Sequence, residues 1–246
     1  MNSIYNQILL AKKNGEKLLA ILLDPDKLKL FQVGEIVDKI HKNKVDFIFV
    51  GGSTVKNGAT EKFVKEVKRF TIIPVVLFPG DYSQITDEAD AVLFLSLLSG
   101  RNPEYLIEQQ VKSVPLLQKT HLEIISTAYI LIDGGVTTAV QKVSNTKPIP
   151  PQNIEIIKNT ACAGMYMGNQ LIYLEAGSGA KYSIDEKIIT EVKNNIALPL
   201  IVGGGIKTKN QLDKAYKSGA DLVVIGNGFE ENNTILNEIL KNESIY

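Results

Sequence analysis

Cysteine is nearly absent from this chain. Cys162 stands alone among 246 residues, so neither a disulfide framework nor a thiolate metal site can form within it. An excess of charge of one sign is also missing, since 27 Lys and Arg face 27 Asp and Glu. A nucleic-acid binder normally carries a basic excess or stripe, whereas these lysines are spread as on solvated helix faces. The longest mainly apolar run, Ala91 to Leu98 with Ser96 inside it, falls far short of the roughly 20 residues that span a bilayer. Met1–Gln7 lacks a basic segment followed by an apolar core, so it is not a secretory signal, and a cytoplasmic protein is expected. The two histidines, His41 and His121, are not at zinc-binding spacing, and they fall at candidate helix ends, where surface positions are expected. No phosphate loop of the nucleotide-hydrolase type is present. No lysine lies inside a late strand, which weakens a Schiff-base aldolase reading.

Short apolar runs alternating with polar, helix-like stretches are what the chain does have. Strands are predicted over Leu18–Leu23, Phe47–Val50, Val75–Phe78, Ala91–Leu97, Leu122–Ile132, Met165–Leu174, Leu198–Val202 and Leu222–Ile225. These runs are mostly apolar rather than alternating in and out, as expected of parallel strands covered on both faces. Helices are predicted over Val33–Lys42, Thr60–Phe70, Pro103–Gln118, Asn153–Cys162, Asp185–Asn195, Lys209–Ser218 and Glu231–Lys241, with Asn102 capping the third of these. The expectation is a single (β/α)8-barrel domain over residues 1–246. Its third helix slot, Pro79–Glu88, is too short for a crossover helix. A doubly wound open sheet ranks second, because no glycine fingerprint follows the first strand. The Gly134–Gln152 segment, with Pro148, Pro150 and Pro151, is read as a covering loop.

A barrel gathers its strand C-termini on one rim, and there the residue types become informative. Tyr173-Leu174-Glu175-Ala176-Gly177-Ser178-Gly179, Gly203-Gly204-Gly205 and Gly226-Asn227-Gly228 each follow an apolar strand. Glycines at strand ends let backbone N–H groups approach an anion, so Gly204, Gly205, Gly226 and Asn227, with the Ser178 hydroxyl, read as a phosphate grip. Tight turns between strand and helix would also use such glycines. Tyr173 and Glu175 alternate with Leu174 and so face the barrel interior near its mouth. Glu175 there either orients and deprotonates a hydroxyl or forms an internal ion pair. Asp24, directly after the first strand, suits Mg2+ beside phosphates, with Ser53 at the next strand end, but it suits a turn cap as well.

Read together, Leu22-Leu23-Asp24-Pro25-Asp26-Lys27, Val50-Gly51-Gly52-Ser53, Phe78-Pro79-Gly80, Tyr173–Gly179 and Val202-Gly203-Gly204-Gly205-Ile206 closely resemble geranylgeranylglyceryl phosphate synthase and its heptaprenyl relatives. The likeness runs from about Leu19 to Phe229, and the length and first motif are more similar to the longer geranylgeranyl subgroup. This resemblance implies a Mg2+-dependent prenyltransferase on a modified TIM barrel whose third helix is replaced by an irregular segment. It implies that sn-glycerol 1-phosphate is lined by Tyr173, Leu174, Glu175, Ala176, Gly177, Ser178 and Gly179, with Gly204, Gly205, Gly226 and Asn227 completing the cradle. Asp24 and Ser53 take the Mg2+ positions, facing a prenyl diphosphate, and Glu175 takes the proton of the attacking hydroxyl.

Phe78, Phe94, Leu95, Leu97 and Leu98 are candidates for the wall of a prenyl groove, or are plain core. No aspartate-rich motif of the chain-elongating prenyl synthases appears, so a finished prenyl chain is joined rather than built. The resemblance further implies a homo-oligomer, dimer or hexamer. A transient membrane contact stays open, the neutral charge offering no polybasic anchor. Two rivals stand beside this reading: a sugar-phosphate isomerase or aldolase of the same fold, and a non-catalytic prenyl- or phosphate-binding barrel.

Overall fold

A computed structural model describes residues 3–226. Eight parallel strands close into a barrel in sequence order: β1 (Leu18–Leu23), β2 (Phe47–Val50), β3 (Val75–Leu77), β4 (Ala91–Leu97), β5 (Glu123–Leu131), β6 (Leu171–Glu175), β7 (Leu200–Gly203) and β8 (Leu222–Ile225). The ring closes where Leu18–Ile21 of β1 pair with Leu222–Ile225 of β8. Most strand residues are buried, the exceptions being Leu22, Phe94–Ser96 and Glu123, Ile124 and Ser126, which explains why the runs read as mostly apolar. Alternate residues divide between two cores. Ile21, Leu23, Ile48, Val50 and Leu174 pack outward under the helices, while Ala20, Phe47, Phe49, Tyr129 and Tyr173 fill the barrel.

The helices are α1 (Ile4–Asn14), α2 (Val33–His41), α3 (Ala59–Phe70), α4 (Gln109–Leu117), α5 (Ala139–Ser144), α6 (Ile154–Tyr166), α7 (Glu186–Asn195) and α8 (Lys209–Lys217). The thin third slot is as expected. Between β3 and β4 stands one 3₁₀ turn, Tyr82–Gln84, in place of a helix. Four local readings change. The sequence reading has no helix before β1, yet α1 lies across the barrel floor with Ile4, Ile8 and Ala11 buried. The Met165–Leu174 strand is shorter: Met165 and Tyr166 end α6, whose buried face of Ile157, Ala161 and Gly164 carries the helix past Cys162. Asn102 does cap its segment, accepting from the Glu104 N–H at 3.1 Å, but a π turn over Glu104–Glu108 precedes α4. The covering segment contains α5, capped by the Thr138 hydroxyl on the Gln141 N–H. The predicted helix Glu231–Lys241 lies outside the described residues.

Candidate active site

The strand C-termini open into a cavity of ≈ 770 Å³, within the usual range for small-molecule sites. Asp24, Ser53, Glu175, Ser178, Gly204 and Gly226 line it from the ends of β1, β2, β6, β7 and β8, and Val92, Leu93, Leu95, Leu97, Val140 and Val143 from β4 and α5. The pleat sorts the β6 segment. Tyr173 and Glu175 reach the cavity, while Leu174 and Ala176 point away from it into the outer core. Ala176 also spends its N–H on the Gly203 carbonyl, 3.0 Å away. The geometry therefore does not bring the side chains of Leu174 and Ala176 to the site, because strand alternation turns them outward. Gly177, Ser178 and Gly179 line the rim. Asn227 lies outside the described residues.

Glu175 is 6% exposed. Burial raises its carboxyl from 4.5 to about 7, the Gly177 N–H and the nearby Tyr173 hydroxyl pulling back only part of that rise. Gly177 donates to Oε1 at 2.7 Å, so this N–H serves the carboxylate rather than a ligand. The Tyr173 hydroxyl lies close to the carboxylate without the geometry of a hydrogen bond. It is buried and has no hydrogen-bond partner among the described residues. Both groups press on β7: a Cβ on Gly203 would stand 2.5 Å from the Tyr173 hydroxyl and 2.8 Å from Glu175 Oε2. Gly204, at φ 81°, would bring a Cβ to 2.4 Å from Oε1. The glycines here are thus required by the carboxylate as much as by any anion.

Aromatic rings pave the interior beside Glu175. Phe78 stacks on Tyr173 at 5.3 Å, and Tyr129 meets Tyr173 edge-on at 5.4 Å. Burial, and then the Glu175 charge, push both tyrosine hydroxyls well above their ordinary value. Tyr129 is absent from the sequence reading, although its place in register with Tyr173 is the signal that could have found it. Lys27, Asp81, Tyr105, Gln110 and Lys207 also line the cavity unforeseen.

Across the mouth, the Asp24 carboxylate accepts the Asp26 N–H at 3.0 Å through Oδ1 and pairs with Lys27 at 3.4 Å through Oδ2. Asp24 thus makes the turn bond its alternative role requires, yet it still faces the cavity with Ser53 on the neighbouring strand end. Phe78, Phe94, Leu95 and Leu97 line the cavity, but Leu98 packs in the outer core. His41 and His121 are both exposed; His41 meets the Thr71 hydroxyl at 2.8 Å and His121 meets Asp87 at 3.2 Å.

A closed eight-stranded barrel whose rim holds a buried, near-neutral carboxylate among glycine-bearing strand ends defines the class: a TIM-barrel enzyme. A profile of the PcrB family matches residues 12–243, and the chain belongs to that family. A geranylgeranylglyceryl phosphate synthase of Flavobacterium johnsoniae is 53% identical, over 94% of this chain and 95% of the relative. One from Thermococcus gammatolerans is 40% identical over 91% and 88%. Among solved structures, (S)-3-O-geranylgeranylglyceryl phosphate synthase from Thermoplasma acidophilum, in complex with its substrate sn-glycerol-1-phosphate, superposes with a TM-score of 0.91 at 32% identity, covering 97% of this chain and 96% of that one.

Proposed function

We propose that this chain joins sn-glycerol 1-phosphate to a long prenyl diphosphate through an ether bond, releasing diphosphate, with geranylgeranyl diphosphate as the donor. One observation carries the reading: a buried carboxyl group, raised by burial to about 7, lines a cavity that also has an apolar wall from β4 and α5. Membership of the PcrB family supports prenyl transfer, and the glycerol-phosphate complex of the Thermoplasma acidophilum enzyme supports the acceptor. A sugar-phosphate isomerase or aldolase needs no such apolar wall.

In this reading the phosphate lies against the backbone N–H groups of Gly204 and Gly205, with Ser178 and Gly226 at its edge. The acceptor's C3 hydroxyl then faces Glu175 Oε2 and the unpartnered Tyr173 hydroxyl. The allylic C–O bond breaks, its electron pair leaving with the diphosphate. The C3 oxygen forms the new C–O bond, and its proton passes to Glu175. The ring faces of Phe78, Tyr129 and Tyr173 stabilise positive charge developing on the allylic carbon. Val140 and Val143 of α5 form part of the apolar wall and help to keep water out.

The residues at the other side fit Mg2+, which takes one or two carboxylates plus phosphate oxygens and water rather than an all-protein cage. Asp24 offers one such carboxylate on the cavity wall, and no cluster of three or more metal-binding side chains occurs among the described residues. Asp24, with Ser53 beside it, would hold the ion, which supplies positive charge against the departing diphosphate. A homo-oligomer is part of the proposal, supported by the exposed apolar residues Ile107, Val111 and Val114 around α4. So is transient membrane contact, supported by exposed Leu30 and Phe31 on the loop after β1. Among the described residues no helix is long and apolar enough to cross a membrane.

The test is incubation with Mg2+, sn-glycerol 1-phosphate and prenyl diphosphates of graded length, with sn-glycerol 3-phosphate as the stereochemical control. Pyrophosphate release and an ether product are expected, greatest with geranylgeranyl diphosphate and lost on chelation. Absence of product with every donor sinks the proposal.

A further inference from the structure

The turn that replaces the third helix carries a buried amide whose two polar atoms both engage the neighbouring loop. Gln84 is 2% exposed. Its Nε2 donates to the Gly52 carbonyl at 2.9 Å, and its Oε1 accepts the Gly52 N–H at 3.4 Å. The side chain thus occupies both hydrogen-bonding edges of one residue in the β2 loop. That loop is pressed from both sides. A Cβ on Gly80 would lie 2.4 Å from the Gly52 carbonyl oxygen and 2.8 Å from that of Ser53. On the opposite side, a Cβ on Gly52 would lie 3.0 Å from each Asp24 carboxylate oxygen.

Gln84 is not itself part of the cavity wall, although its neighbours Asp81, Tyr82 and Ile85 are. The turn is anchored at its outer end too, where the Tyr82 N–H donates to Gln109 Oε1 at 2.9 Å. Asp81 Oδ1 closes it by accepting the Ser83 N–H at 2.7 Å and the Ser83 hydroxyl at 2.6 Å.

We infer that Gln84 is a positioning residue for the diphosphate side of the site: through the Gly52 backbone it fixes where Ser53 stands and where the Asp24 carboxylate is pressed. The inference rests on the proposed role of Asp24 and deepens it. Gln84 touches neither substrate, so its effect is confined to one ligand of the two, whereas a residue that merely supports the fold affects both.

Calorimetric titration separates these cases with two probes, inorganic pyrophosphate with Mg2+ and sn-glycerol 1-phosphate alone. Gln84→Met keeps the side-chain length and removes both bonds; Gln84→Glu keeps the acceptor and removes the donor. Both variants are expected to lose on the order of 10- to 100-fold in pyrophosphate affinity, as supporting partners of ligating groups typically do. Their glycerol 1-phosphate affinity stays at the wild-type value, and in turnover assays the KM for prenyl diphosphate rises while that for glycerol 1-phosphate does not. Wild-type pyrophosphate binding by a folded Q84M overturns the inference, and so does equal weakening of both probes. Asp24→Asn is the separate control: if it binds pyrophosphate as well as the wild type does, the reading of Asp24 fails and the role of Gln84 falls with it.

Discussion

Glu175 combines a cost to stability with the proposed role of base. Its folded-state value of about 7 lies above the ordinary 4.5. Below about pH 4.5 both folded and unfolded chains are protonated, and burying the neutral acid carries no charge penalty. As pH rises toward 7 the unfolded chain ionises first, so stability falls; above 7 the loss is constant, about 3 kcal/mol. Glu175→Gln removes the charge and keeps the shape. At pH 8 it should melt roughly 5–10 °C above the wild type, with the gap closing by pH 4. A thermal scan at the two pH values checks this. Activity should move the opposite way. The same variant is expected to lose about 100- to 10,000-fold in turnover while still binding glycerol phosphate. The wild-type kcat/KM should rise through about pH 7 and stay high above it. Unchanged turnover in the variant rules out the base. The position of Glu175 was legible in the sequence, because period-2 alternation put Tyr173 and Glu175 on one face. Its protonation was not, because desolvation depends on Tyr129, Phe78 and Gly203, which only strand register brings near.

Elements show a second regularity, at the barrel's lower end. The residue immediately before each even-numbered strand accepts a backbone N–H from the odd-numbered strand before it. Asp46 takes that of Leu19 at 2.8 Å, Asp90 that of Val75 at 2.7 Å, Gln170 that of Ser126 at 3.0 Å and Asp221 that of Leu200 at 2.8 Å. A strand N–H near the barrel floor that no ladder bond takes must find an acceptor, and these four pairings also tie neighbouring strands together. Asp221, 4% exposed, further holds Lys193 at 2.6 and 2.7 Å. Asp221→Ala strands both the Leu200 N–H and the lysine, and should cost about 3 kcal/mol by urea unfolding. Turnover per folded molecule should be unaffected, since the site is at the other end of the strands. Loss of turnover without loss of stability would contradict this division. Acidic residues before apolar runs were visible in the sequence, yet which strand each would serve was not. Likewise Met165 and Tyr166 read as strand because they are apolar and shortly precede Leu171–Leu174, whereas the buried Ile157, Ala161 and Gly164 face commits them to α6.

At the scale of the whole molecule, the barrel has one open end and one sealed end, and the seal is α1. Its N-terminal N–H groups rest on Glu123, the first residue of β5: the carboxylate accepts from Ile4 at 2.5 Å and from Tyr5 at 3.0 Å. A negative charge at a helix start satisfies otherwise unpaired donors and complements the helix dipole. Ile4, Ile8 and Ala11 then project at helical spacing into the same interior core that holds Phe47, Leu93 and Tyr173. That core is continuous from the floor to the aromatic layer beneath Glu175, so a defect at the bottom tests whether the upper site depends on the seal. Ile8 is 2% exposed, and Ile8→Ala should cost about 2–5 kcal/mol through lost burial and a residual cavity. If interior layers pack independently, turnover of the folded variant stays at the wild-type level and the pH midpoint of kcat/KM stays near 7. A shift of that midpoint would mean that the floor sets the dielectric around Glu175. Chemical denaturation, followed by the pH profile of the purified variant, decides between a seal that only stabilises and one that also tunes the carboxylate.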